Sequence, residues 1–206
     1  MRLVCLDLEG VLVPEIWISV AEVTGIPELR LTTRDIPDYD ELMNHRLGIL
    51  DREGIRLPDI QAVIETLDPL PGAAPFFEAL RARTQAVILS DTFVQFAGPL
   101  MKKLRFPTLF CNELLVDSEG KITGYRLRQA DGKRHAVTAF RSLNLQVIAV
   151  GDSYNDLSMI RAANAGALFH PPDTIVAEHP DLPVFRDYDA LLSFLTSAPI
   201  HAEPHA

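Results

Sequence analysis

The chain has 206 residues, a length that suits one domain carrying an insertion. Apolar residues make up 48% and charged residues 23%, and 28 acidic against 19 basic side chains give a formal net charge of −9. This balance argues against nucleic-acid and anionic-membrane partners, which need a basic face. With two cysteines and no apolar stretch near the roughly 20 residues of a membrane-spanning helix, we expect a cytoplasmic protein without a disulfide framework.

Apolar runs along the chain predict buried strands. The first covers residues 2–6 and ends at Asp7. Further runs are residues 86–89, 108–111, 146–150 and 165–169, and segments with helical spacing lie between them at residues 73–83, 93–104, 133–143 and 155–163. Because strand and helix alternate, the pattern predicts an α/β protein with a Rossmann-like parallel sheet. Residues 113–129 break the rhythm and predict a β-hairpin with its turn at Asp117, Ser118 and Gly120.

Residues 15–67 interrupt this alternation after the first strand. Helix-like stretches at about residues 15–24, 38–53 and 58–67 are separated by prolines and glycines. We predict that 15–67 form a small helical cap, inserted into an α/β core of residues 1–14 and 68–197. The last residues, 198–206, are predicted to be a flexible tail.

Polar side chains follow three of the predicted strands. In chain order they are Asp7, Glu9, Ser90, Asp91, Thr92, Asp152, Asn155 and Asp156. Because the carboxyl ends of parallel strands meet at one edge of a sheet, we expect them to lie together. Carboxylates at such close range repel one another unless a cation joins them, and hard oxygen ligands favour Mg²⁺. The sequence therefore predicts a magnesium site at this edge.

The spacing of these residues resembles a known superfamily. The matching features are D-x-E-G-V at residues 7–11, Ser90, Lys133 at the start of a later helix, and G-D-x-x-N-D at residues 151–156. Together they resemble the haloacid dehalogenase superfamily of aspartyl-phosphate phosphotransferases. The helical insertion, with Glu15, Tyr39 and Arg46, is similar to the phosphoserine phosphatases. The stretches 7–17 and 36–40 look most like the branch that also transfers the phosphoryl group from phosphoserine to homoserine.

This resemblance implies a chemistry for the strand-end residues. Asp7 is expected to be the nucleophile that forms an aspartyl phosphate, and its alternative reading is a metal ligand only. Glu9 would serve as general acid and base and as a Mg²⁺ ligand through its backbone carbonyl. Mg²⁺ would also bind Asp7, Asp152 and Asp156, although Asp156 has a second reading as a helix N-terminal carboxylate. The family pattern usually has Asp where this chain has Glu9, and the extra methylene of Glu moves the carboxylate forward.

The resemblance also implies how the substrate is held. Ser90 and Lys133 would bind the phosphoryl group, and the alternative for Lys133 is a solvated lysine. In the cap, Arg46 would bind the α-carboxylate and Glu15 the α-ammonium of phosphoserine or homoserine. Asn155 would contact the substrate or shape its loop.

Asp91 and Thr92 stand where ordinary phosphoserine phosphatases have glycines. They would contact the substrate or acceptor, or cap the helix that starts near residue 93. Both readings remain open at the level of the sequence.

Two other functions are compatible with these residues. The same fold could act on another small phosphomonoester, or Asp7 could be the phospho-accepting residue of a signalling domain. The six histidines show no zinc spacing and are read as structural or surface residues, and Trp17 as part of a packing face. No Gly-rich nucleotide loop is present, so ATP is not the expected donor. The sequence leaves the oligomeric state open, a homodimer included.

Overall fold

The computed structural model describes residues 1–32, 35–36 and 38–197, so the predicted tail lies outside the described residues. The strands are β1 (Arg2–Leu6), β2 (Gln85–Phe93), β3 (Leu109–Val116), β4 (Ile122–Arg126), β5 (Gln146–Gly151), β6 (Ala165–Phe169) and β7 (Val184–Phe185). The α-helices are α1 (Ile16–Thr24), α2 (Tyr39–Glu53), α3 (Leu57–Thr66), α4 (Ala73–Arg81), α5 (Val94–Lys103), α6 (Gly132–Ser142), α7 (Leu157–Ala162), α8 (Asp173–Glu178) and α9 (Tyr188–Ser197). Short 3₁₀ turns lie at Pro27–Arg30 and Tyr154–Asp156.

The strands of the described residues form one sheet in the order β4-β3-β2-β1-β5-β6-β7. Neighbouring strands are parallel except β3 and β4, which are antiparallel and form the predicted hairpin. The expected α/β fold is therefore confirmed, with an antiparallel strand at one edge.

The central position of β1 explains the unbroken apolar run at its residues 3–6. It pairs with β2 on one side and β5 on the other. Val4 and Leu6 belong to the hydrophobic cluster on one face of the sheet, and Leu3 and Cys5 to the cluster on the other. Both faces of the strand are buried, so alternation of polar and apolar residues is absent. The first polar residue after this apolar run is Asp7, and its backbone N–H still donates a hydrogen bond to Val150 O at 2.9 Å.

Two predicted strand boundaries were wrong. The run at 108–111 and the first hairpin strand are one strand, β3, which pairs with β2 through Leu109 and Phe110 and with β4 farther along. No glycine or proline lies between those halves, so nothing ends the strand. Strand β2 also continues past Leu89 to Phe93, with an irregular register, because backbone pairing does not stop where side chains become polar.

The sequence analysis assigned no elements after residue 170, where the structure has α8, β7 and α9. Leu191 and Leu195 of α9 are buried. Tyr188 stacks on Phe76 of α4, with ring centroids 4.8 Å apart, and its hydroxyl donates to Val11 O at 2.8 Å. This C-terminal helix thereby supports the loop that follows β1.

Helices α1 to α3 lie between β1 and β2 in the chain, within the segment predicted as a cap. Asp38 caps α2 by accepting a hydrogen bond from Glu41 N at 2.8 Å. Trp17 of α1 packs edge-on against Phe96 of α5, with centroids 5.4 Å apart, in agreement with its expected packing role. The division of the chain into core and cap stays a prediction. In the described part of the chain, no helix is both long and apolar enough to cross a membrane.

Candidate active site

A cleft of about 480 Å³ lies at the carboxyl ends of the central strands. It is lined by every residue predicted for the site except Asp156, which is fully buried and contacts Lys133. The topology explains this convergence, because β1, β2 and β5 are adjacent and parallel. Lys133 comes from α6, and Glu15 and Arg46 from the helical segment after β1.

Lys133 is the cationic centre of the cleft. It is 4% exposed, and its Nζ lies 2.9 Å from Asp7 Oδ1, 2.8 Å from Asp156 Oδ1 and 3.3 Å from Asp91 Oδ2. Burial acts to lower the pKa of Lys133, but the carboxylates of Asp156 and Asp7 outweigh it and hold that pKa well above its ordinary value. The ammonium therefore remains charged, although it sits in the first turn of a helix.

The carboxylates around Lys133 are crowded. Burial, followed by the charge of Asp156, raises the pKa of Asp7 well above its ordinary value. The same causes raise the pKa of Asp152 to about 7. Asp156 Oδ2 accepts backbone hydrogen bonds from Asp152 N at 3.0 Å and Ser153 N at 3.2 Å, which fix its position. One lysine does not neutralise this much negative charge.

Asp7, Asp152 and Asp156 are placed to hold a metal ion. Each offers a carboxylate oxygen, and these oxygens all lie within 4.8 Å of one another. Hard oxygen donors suit a small divalent cation, and such a cation would favour the ionised forms of Asp7 and Asp152, whose pKa values are raised. The Glu9 carboxylate is not in this group. The predicted role of its backbone carbonyl remains a prediction.

Gly10 allows the loop after β1 to approach the metal-ligand group. Its φ is 75°, in the left-handed region, and a Cβ placed there would lie 2.5 Å from Asp152 Cγ. Only glycine fits without moving that carboxylate.

The substitution Gly10→Ala is expected to lower both activity and metal affinity at least about tenfold, because it displaces Asp152. Gly25→Ala is the matched control, since Gly25 has a φ of 70° and a Cβ there would meet nothing within 4 Å. Both variants should lose about 1–2 kcal/mol of unfolding free energy from left-handed strain. Calorimetric metal titration and urea unfolding check this, and equal metal affinity in the two variants would contradict it.

Glu9 lies where the loop after β1 meets helix α1. Its Oε2 accepts a hydrogen bond from Ile16 N at 2.8 Å. Burial, followed by the charge of Glu15, raises the pKa of Glu9 to about 8, and a side-chain hydrogen bond with Glu15 adds to the effect. No feature of the sequence predicts this pairing of two glutamates. Glu9 therefore connects the strand-end chemistry to the first helix of the predicted cap.

Arg46 is held against an aromatic face inside the cleft. It is 6% exposed, its Cζ lies 4.6 Å from the Trp17 ring centroid, and its Nη2 donates to Leu31 O at 2.7 Å. Burial lowers its pKa to about 10. Its Nε is buried and has no hydrogen-bond partner in the described part of the chain. A buried donor of this kind is available for an anionic ligand.

Ser90, Asp91 and Thr92 follow the apolar part of β2 and line the cleft. Ser90 Oγ accepts a hydrogen bond from Thr92 N at 3.2 Å. Asp91 Oδ2 accepts one from Asn155 Nδ2 at 3.0 Å. Helix α5 is preceded by Phe93 and receives no side-chain cap, so no hydrogen bond supports the capping alternative for Asp91 and Thr92.

The structure adds residues that sequence reasoning did not place in the site. Asn112 Nδ2 donates to Asp91 O at 3.1 Å, and Tyr39 Oη donates to the same carbonyl at 3.5 Å. His170, expected to be structural or on the surface, follows β6 and lines the cleft. Its position directly after an apolar run was the signal that could have found it.

A family model described as haloacid dehalogenase-like hydrolase matches residues 1–164. The chain belongs to the haloacid dehalogenase-like hydrolase family. It is 57% identical over 191 residues to the phosphoserine phosphatase ThrH of Pseudomonas aeruginosa, covering 93% of each protein. It has the same identity to a phosphoserine phosphatase of Pseudomonas syringae, covering 93% of this chain and 81% of the relative.

Solved structures agree in fold. A crystal structure of a phosphoserine phosphatase in apo form has a TM-score of 0.76 and 21% identity, covering 94% of this chain and 98% of that one. The family membership expected from the motifs is confirmed.

Proposed function

We propose that this chain is a Mg²⁺-dependent phosphoserine phosphatase that acts through an aspartyl phosphate on Asp7 and also transfers the phosphoryl group to homoserine. The observation that carries the proposal is the Asp7 carboxylate, 2.9 Å from the Lys133 ammonium and grouped with Asp152 and Asp156. The 57% identity to relatives named phosphoserine phosphatase supports the substrate.

In the first half-reaction, a carboxylate oxygen of Asp7 attacks phosphorus. An O–P bond forms to Asp7 while the ester P–O bond breaks, and the serine oxygen takes a proton from the Glu9 carboxyl. Lys133 and the Ser90 hydroxyl bind the phosphoryl oxygens and offset their repulsion from Asp7. Asp7, Asp152, Asp156 and the Glu9 carbonyl would hold Mg²⁺, which when bound supplies positive charge to the phosphoryl oxygens.

In the second half-reaction, an oxygen nucleophile attacks the aspartyl phosphate. The nucleophile gives its proton to the Glu9 carboxylate, and the bond between phosphorus and the Asp7 oxygen breaks. Water as nucleophile yields inorganic phosphate, and the homoserine hydroxyl yields phosphohomoserine. An alcohol held in place with an effective molarity near ~10⁵ M outcompetes water at about 55 M.

The amino-acid part of both compounds would bind to the predicted cap, residues 15–67. Arg46 has an unpartnered Nε among the described residues and is oriented by Trp17, which suits an α-carboxylate. Glu15 lies in the same cleft and suits the α-ammonium. Asn155 and Asp91 follow strands of the sheet and line the same cleft, joined by a hydrogen bond of 3.0 Å. We also propose a cytoplasmic location and a homodimer for the whole protein.

Substituting Arg46→Ala is expected to lower kcat/KM for phosphoserine by about 10²-fold, since a charge-assisted hydrogen bond to a carboxylate is lost. The same variant should hydrolyse p-nitrophenyl phosphate, which has no carboxylate, within about threefold of the wild type. Steady-state kinetics on both substrates measures the ratio. Equal losses on both would show that Arg46 acts on the fold and not on the amino-acid part.

Phosphorus NMR tests the function directly. Enzyme, phosphoserine and Mg²⁺ are followed with and without homoserine and without ATP. We expect inorganic phosphate in the first tube and an added phosphohomoserine signal in the second. Phosphate alone in both would remove the transferase activity. No change in either would mean that another small phosphomonoester is the substrate.

A further inference from the structure

The side chain of Asp91 lies among the groups proposed to bind the phosphoryl group. Its Oδ2 is 3.3 Å from Lys133 Nζ and accepts a hydrogen bond from Asn155 Nδ2 at 3.0 Å. Both donors belong to the wall of the cleft that also presents the nucleophile, since Lys133 Nζ is 2.9 Å from Asp7 Oδ1. A carboxylate and a phosphoryl group bind the same kinds of donors. Asp91 therefore uses donors that a phosphoryl oxygen would need.

Asp91 can leave this position without disturbing the backbone. Its side chain is 45% exposed, whereas that of Lys133 is 4% exposed. Its carbonyl oxygen is fixed separately, by Asn112 Nδ2 at 3.1 Å and by Tyr39 Oη at 3.5 Å. Rotation about the side-chain bonds of Asp91 moves its carboxylate toward solvent. Lys133 then keeps its two buried partners, Asp7 and Asp156.

We propose that the carboxylate of Asp91 competes with phosphate oxygens for Lys133 and Asn155, and so limits how tightly the site holds a phosphate group. This inference rests on the proposed function in taking those two residues as phosphoryl ligands. A phosphomonoester binds only as the carboxylate turns away, because two anions at this distance repel. When the phosphoryl group has left the enzyme as inorganic phosphate, the carboxylate returns and hinders its rebinding. Asp91 thus lowers the affinity of the site for inorganic phosphate.

The test is calorimetric titration of the full chain with inorganic phosphate in the presence of Mg²⁺. Asp91→Ala is expected to bind phosphate at least tenfold more tightly than the wild type. Asp91→Asn, which keeps the shape but not the charge, should bind it more tightly than the wild type and less tightly than Asp91→Ala. The KM for phosphoserine should fall in the same order. A residue that merely supported the fold would weaken binding on removal.

Asp68→Asn is the matched control for the loss of one negative charge. Its side chain is 84% exposed and contacts Lys103, away from the cleft. Unchanged or weaker phosphate binding by Asp91→Ala, or equal tightening by Asp68→Asn, would overturn the inference. Phosphoserine hydrolysis by the wild type is measured in a separate assay, which tests the proposed function independently of the role of Asp91. If it is absent while Asp91→Ala still tightens phosphate binding, the proposed substrate fails and the role of Asp91 stands.

Discussion

Asp7→Asn is expected to lower kcat for phosphoserine by about 10⁵-fold or more, because an amide replaces the carboxylate that is proposed to attack phosphorus. The fold should survive. Asp7 is 4% exposed and its pKa is raised above the ordinary value, first by burial and then by Asp156, so its charge is held at a cost to stability. Removing that charge is expected to leave the unfolding free energy unchanged or to increase it.

Two measurements separate this prediction from a general loss of structure. Acid-quenched wild-type enzyme, mixed with phosphoserine and Mg²⁺, should gain the mass of one phosphoryl group on the peptide that contains Asp7. The Asp7→Asn variant should show no such gain and should still bind phosphoserine. Turnover by the variant near the wild-type rate, or labelling of a different peptide, would exclude the covalent role of Asp7.

The position of Asp7 was readable from the sequence for a physical reason. A strand buried on both faces has no polar residues, so the first polar residue marks the strand end at the sheet edge. The same logic located Asp152 after β5. It gave the wrong end for β2, which continues through Ser90 to Phe93, because polar side chains facing a cleft do not interrupt backbone pairing.

Contacts between side chains of different elements could not be predicted from the sequence. The pairing of Glu9 with Glu15, the placement of Arg46 on Trp17, and the approach of Asn155 to Asp91 depend on how the helices after β1 and the loop after β5 sit on the sheet. Short elements such as α8 and β7 carry too few residues to show a period. The sequence thus predicted which residue types line the cleft. Which of these side chains contact one another could be found only from the three-dimensional structure.

Lys133→Met is expected to reduce both catalysis and stability, because its ammonium is proposed to bind the phosphoryl group and also pairs with the buried carboxylates of Asp7 and Asp156. The loss of its charge beside the phosphoryl group should lower kcat by about 10³-fold. Its removal also leaves Asp7 and Asp156 buried without a cation. Breaking a buried pair in this way costs about 3–5 kcal/mol of unfolding free energy. Met matches the length and apolar stem of Lys, so little of this loss comes from packing.

The pH dependence of the unfolding free energy that Lys133→Met loses identifies the cause of that loss. Asp152 illustrates the sign, since burial and then Asp156 raise its pKa from 3.8 to about 7 in the folded state. A carboxyl with a raised pKa stabilises the fold below its unfolded pKa, and this contribution is lost as the pH rises through the folded pKa. The charge of Lys133 lowers the pKa values of Asp7 and Asp152, so both values should rise further when the lysine is removed. Urea unfolding in EDTA should therefore show a larger difference in unfolding free energy between wild type and Lys133→Met at pH 8 than at pH 5.

Lys102→Met, at an exposed position on α5, is the control and should show little difference in unfolding free energy from the wild type at either pH. A Lys133→Met loss that is the same at both pH values would point to packing, and the ammonium would then not be what holds the carboxylates together.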